Sequence, residues 1–106
     1  MQLVLSSEEL DEVVVVRAVG EVDVSTAPSL RRHLDDLIQR GYRDLVVDLT
    51  EVDFLDSTGL GVLVGRLKLL RAQGGQLRLA GVRDRVRKVL LITGLDRVFE
   101  ISELSH

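Results

Sequence analysis

The chain contains no cysteine. That excludes a disulfide framework, a thiol nucleophile and any zinc site built on thiolates. It is compatible with a reducing compartment. Aromatics are almost as scarce: Tyr42, Phe54 and Phe99 are the whole set. Single-stranded nucleic-acid binders stack bases on exposed rings, and there are few to spare here. No excess of positive charge is present either, with a net charge of −3. Nothing therefore suggests general attraction to phosphate backbones or anionic lipids. No apolar run is long enough to span a bilayer, and the opening "MQLVLSSEELDE" meets acids too early to read as a leader. A cytoplasmic protein with no nucleic-acid and no membrane partner is the expectation.

What is present is a chain of 106 residues, 45% hydrophobic and mostly aliphatic. That length suits one domain, and such a domain buries about 60–70% of the surface its unfolded chain exposes. "QLVLS" at 2–6 reads as a strand, and "EVVVVRAVGEV" at 12–22 as a longer one rich in β-branched residues, with "SEELD" as the hairpin loop between them. "VSTAPSLRRHLDDLIQRG" is a helix capped by Ser25 or Thr26. Pro28 is tolerated in its first turn, and Gly41 stops it. Ala27, Leu30, Leu34, Leu37 and Ile38 share its apolar face.

"DLVVDL" at 44–49 is a strand buried on both faces, followed by a loop carrying Glu51 and Asp53. Leu60, Leu63, Val64, Leu67 and Leu70 then mark a second helix, ending near Gly74 and Gly75. "QLRLAGV" at 76–82 is a strand, and "RDRVRKVLLITG" at 83–94 is a third helix. "VFEI" at 98–101 is a last short strand or the entry to a turn of helix. The order implies parallel neighbours joined by right-handed crossovers.

The chemistry gathers at "DSTG", Asp56 to Gly59, between a strand and a helix. Helix N-termini carry unsatisfied N–H groups, so a capping role is the simplest account of Ser57. Three features ask for more. Asp56 already supplies capping chemistry. Gly59 and Gly61 stand in the first turns, where each costs about 0.8–1 kcal/mol relative to alanine. Loops after parallel strands are also where α/β proteins place their sites.

"FLDSTGLGVLVGRLK" resembles the phosphorylation motif of the anti-sigma factor antagonists of the STAS-domain family, and "GEVDVSTAP" resembles that family's second signature. The two lie about thirty residues apart in matching context. The likeness spans roughly residues 3 to 101. It implies one STAS domain over 1–106, with a mixed four- to five-stranded sheet and three to five helices packed mainly on one face. It further implies that Ser57 is the phosphoacceptor, with Asp23 beside it. Asp56, Thr58, Gly59, Leu60 and Gly61 would frame the partner contact, and Ser25 and Thr26 would open the adjacent helix. Thr58 stands where some members have a second serine, so phosphate on Thr58 stays open. The implied partners are an anti-sigma factor serine kinase and a serine phosphatase, acting on a monomer or weak dimer without metal or cofactor. The alternative is a STAS binding module of a stress-signalling or lipid-transport complex, with no phosphorylation cycle.

An enzyme is not expected. Leu55 occupies the first glycine position of a G-x-S-x-G elbow, and no phosphate-binding loop of the G-x-x-x-x-G-K-[ST] kind is present. A serine triad would have to recruit His33 or His106, and these two are too far apart for a metal pair. His33 is expected on the outer side of the first helix. Gly61 and Gly65 form a G-x-x-x-G read as close helix packing, with Gly61, near the site, as the candidate exception for a partner role. "RDRVRK" at 83–88 is read as a solvated basic face.

Overall fold

The computed structural model describes residues 2–102. Strands β1 (Leu3–Leu10) and β2 (Val13–Val22) form an antiparallel hairpin. Helix α1 (Ala27–Gln39), strand β3 (Asp44–Leu55), helix α2 (Ser57–Ala72) and strand β4 (Gln76–Ala80) follow. Helix α3 (Asp84–Thr93), a 3₁₀ turn (Leu95–Arg97) and the short β5 (Ile101–Ser102) complete the described chain. The five strands lie in the order β1-β2-β3-β4-β5, parallel from β2 onward. This is the expected mixed α/β sheet, with three helices.

The alternation of β-branched residues sets the faces of the sheet. Val14, Val16 and Ala18 of β2 point the same way as Leu45, Val47 and Leu49 of β3 and Leu77 and Leu79 of β4, and all are buried. Leu30, Leu34 and Leu37 of α1 and Leu63, Leu67 and Leu70 of α2 belong to the same core. α3 adds Val86 and Leu90 and packs against β3. Phe99 is the one aromatic in the core cluster, so aliphatic packing carries the interior.

Three local expectations are corrected. β1 runs to Leu10 rather than to Ser6, because the turn is only Asp11-Glu12 and both residues have positive φ, 51° and 72°. Two such residues make the tight mirror-image turn whose twist matches a hairpin. β3 does not end near Leu49: Glu51 and Asp53 are strand residues, and pairing with β2 continues to Val22↔Leu55. Two register shifts, between Arg17 and Val19 and between Gly20 and Glu21, absorb the extra residues of β3. Such bulges re-aim a strand end and are found beside sites. Finally, His33 does not ride the outside of α1. It is half-buried and shares a 2.5 Å hydrogen bond with Ser7 of β1. His106 lies outside the described residues.

Candidate functional site at the mouth of α2

The bulged extension of β3 carries its end level with the end of β2. There the Asp56 N–H donates to the Val22 carbonyl at 3.1 Å. Asp23, the residue after Val22, is thereby brought next to Asp56, two residues joined by neither sequence nor helix. Gly59 closes the arrangement from above. A Cβ on Gly59 would stand 2.5 Å from both Leu55 Cδ1 and Val22 Cγ1, so the first turn of α2 rests directly on the paired strand ends. A side chain there would force Leu55, Val22 or the helix itself to shift.

The two acids have different tasks. Asp56 is the N-cap of α2. Its Oδ1 accepts from the Thr58 N–H at 2.9 Å, the Gly59 N–H at 3.2 Å and the Thr58 hydroxyl. Asp23 organises the entry to α1. Its Oδ1 accepts from the Ser25 N–H at 2.9 Å, the Ser25 hydroxyl at 2.6 Å and the Thr26 N–H at 3.1 Å. The Ser25 hydroxyl is the main cause holding the Asp23 carboxyl below its ordinary 3.8, against the opposing effect of burial. Thr26 occupies the N-cap position of α1, but its side chain does not cap that helix. Its hydroxyl accepts from the Asp23 N–H at 2.9 Å and donates to the Glu21 carbonyl at 2.8 Å.

This separates residues that shape the site from residues that present it. Thr26, Gly59 and Leu60 are buried. Ser25, Ser57, Thr58 and Gly61 are exposed, and Asp23 and Asp56 are half-exposed. The two candidate hydroxyls also differ. That of Thr58 is tied to the capping carboxylate. That of Ser57 is exposed at the first position of α2 and has no hydrogen-bond partner among the described residues. Ser57 therefore offers an accessible oxygen at a positive helix end, directly after Asp56 and near the strand end that leads into Asp23.

Sequence reasoning did not single out Phe54 and Val24. Both are exposed, at 40% and 72%, and both lie within three residues of the acid pair. An aromatic that close to the motif was the available signal. The basic run at 83–88 is only partly a solvated face: Arg83 donates to Asp53 at 2.8 Å and fastens the start of α3 to the β3 extension. The close-packing account of G-x-x-x-G is overturned, because a Cβ on Gly61 or on Gly65 would meet no atom within 4 Å.

The five-stranded mixed sheet, with a capped, hydroxyl-bearing helix mouth where β2 and β3 end, defines an α/β domain with one marked polar site. The chain belongs to the STAS-domain family, whose model matches residues 5–106. Within that family it is similar to the anti-sigma-B factor antagonist of Staphylococcus aureus, 39% identical over 103 residues, covering 97% of this chain and 95% of that protein. It is also similar to the anti-sigma-B factor antagonist of Bacillus subtilis, 43% identical over 91 residues, covering 86% and 83% respectively. Among solved structures it matches the anti-sigma factor antagonist SpoIIAA in its unphosphorylated form, with a TM-score of 0.83, 26% identity and coverage of 97% and 90%. The Bacillus SpoIIAA in its phosphorylated form matches with a TM-score of 0.76, at 26% identity and coverage of 97% and 93%.

Proposed function

We propose that this chain is an anti-sigma factor antagonist switched by phosphorylation of Ser57. In the unphosphorylated state it binds an anti-sigma factor and so releases the sigma factor that the anti-sigma factor holds. The bound partner is a serine kinase. It transfers the γ-phosphoryl group of ATP to Ser57 Oγ, releasing ADP and the hydroxyl proton, and a serine phosphatase restores the hydroxyl. The chain itself supplies no catalytic group and acts in the cytoplasm, where sigma factors work.

What supports this reading is the exposed Ser57 hydroxyl at the mouth of α2, directly after the capping Asp56 and near the strand end that leads into Asp23. A phosphate adds about −1.5 to −2 charges and three acceptor oxygens. The helix N-terminus accommodates the anion, so the fold survives. The partner surface does not accommodate it. Shaped for a neutral hydroxyl, that surface would face added bulk and a third negative group, and like charge across an interface costs several kcal/mol. Since about 1.4 kcal/mol is a factor of ten in affinity, two or three such factors end the binding.

The test uses the purified protein, its cognate anti-sigma factor and ATP. Mass spectrometry should locate one phosphate, on Ser57. Ser57→Asp should weaken binding by about 100-fold or more with native circular dichroism. Ser57→Ala should bind and never be released. An unmodified Ser57, or a Ser57→Asp protein that binds as tightly as its parent, would count against the mechanism.

A further inference from the structure

We propose that the partner contact extends beyond Ser57 into a cationic groove between α1 and α2, where Arg31 receives a carboxylate from an acidic segment of the anti-sigma factor. This rests on the phospho-switch reading above.

The groove begins at the site. Thr58, Gly61, Val62 and Arg66 of α2 line a hollow of about 340 Å³ together with Arg31 of α1. Arg31 and Arg66 also line the adjoining hollow of about 490 Å³, which continues between the helices past Asp35, Arg43 and Leu69 to Gln73. The two share Arg31 and Arg66, so they adjoin along the line between the helices.

Its charge is opposite to that of the chain. Three arginines and one aspartate line it, on a protein whose net charge is −3. The one carboxylate is already engaged: Asp35 Oδ1 accepts from Arg66 at 2.7 Å, and its other oxygen is 3.7 Å from Arg31. Arg43 donates to the carbonyls of Ile38 and Tyr42. Arg66 is mostly buried, with its Nε–H lacking a partner among the described residues. Arg31 remains 63% exposed and only loosely paired, so it is the cation free to meet an incoming group. A guanidinium fork binds a carboxylate through paired N–H donors.

Gly61 indicates that the space is kept open. Glycine inside a helix weakens it relative to alanine. At Gly59 close approach of the strand ends explains the choice, but at Gly61 a Cβ would meet no atom within 4 Å among the described residues outside its own stretch of helix. Gly61 lines the groove opposite Arg31, so its small size leaves room for a side chain from outside. The occupant is a protein segment bearing Asp or Glu, because the groove is continuous with the surface that carries Ser57.

Binding of the purified cognate anti-sigma factor would be measured for the parent and for Arg31→Glu, Gly61→Ala and Ser57→Asp proteins, at low and high salt. Arg31→Glu should weaken binding about tenfold at low salt, with a smaller effect at high salt, where charge is screened. Gly61→Ala should raise the melting temperature of the isolated protein and yet weaken binding about fivefold or more. Either variant binding within about twofold of the parent, while Ser57→Asp loses binding, overturns the groove and leaves the switch standing. A parent that does not bind, or a Ser57→Asp protein that binds equally well, removes the switch reading and this proposal with it.

Discussion

At the scale of single residues, the site is a division of labour among short polar side chains. Asp56 holds two N–H groups and the Thr58 hydroxyl, which leaves Ser57 unencumbered. Asp56→Ala should therefore lower stability by about 0.5–2 kcal/mol in urea unfolding, the usual cost of a lost cap. Gly59→Ala forces a Cβ into Val22 and Leu55 and should cost about 1–3 kcal/mol in the same measurement. Asp23 differs from Asp56 in that its bonds stay within the β2–α1 corner, with Ser25 and Thr26 as donors. Its carboxyl lies below the ordinary range and is charged at neutral pH. It is thus a fixed anion at the β2–α1 corner whether or not a partner is present.

At the scale of elements, the edge hairpin is held by its turn and by a clasp to α1. Glu12 takes φ of 72°, a region that side chains enter at a cost of about 1–2 kcal/mol. Glu12→Gly should raise the unfolding free energy by about 0.5–1 kcal/mol, read from the urea midpoint at constant slope. The clasp joins Ser7 to His33. Burial pushes the His33 imidazole below its ordinary 6.5; Asp36 opposes this, and Arg40 adds to the lowering. The unfolded chain therefore binds that proton more readily than the fold does. Stability is complete above about 6.5 and declines as pH falls from there toward the folded value. His33→Gln should flatten that decline when urea midpoints are compared at about pH 7.5 and 5.5.

At the scale of the whole molecule, what matters is that three separate segments finish at one end of the sheet. β2 ends at Val22, β3 at Leu55, and α2 begins on top of both. α1 and α2 then run side by side, linked by Asp35 and Arg66. Asp35→Asn would leave a mostly buried guanidinium without its carboxylate. It should cost about 1–3 kcal/mol in chemical denaturation, and Arg66→Met in the same background should recover part of the loss. Both partners of the ion pair line the groove between the two helices.

The element order, the apolar faces of α1 and α2 and the Asp56-Ser57-Thr58-Gly59 motif were legible because they depend on local period and local capping. Leu30, Leu34 and Leu37 repeat at helical spacing, and an aspartate just before an apolar helical pattern is a favoured N-cap. Glu51 and Asp53 read as loop residues, because the bulges that keep them in β3 are properties of pairing with β2, not of the segment itself. Which hydroxyl is free, why Gly59 must be glycine while Gly61 need not be for internal packing, and the placing of Arg31 opposite Gly61 were all decided by tertiary contact. Each depends on distances between segments that no single stretch of sequence contains.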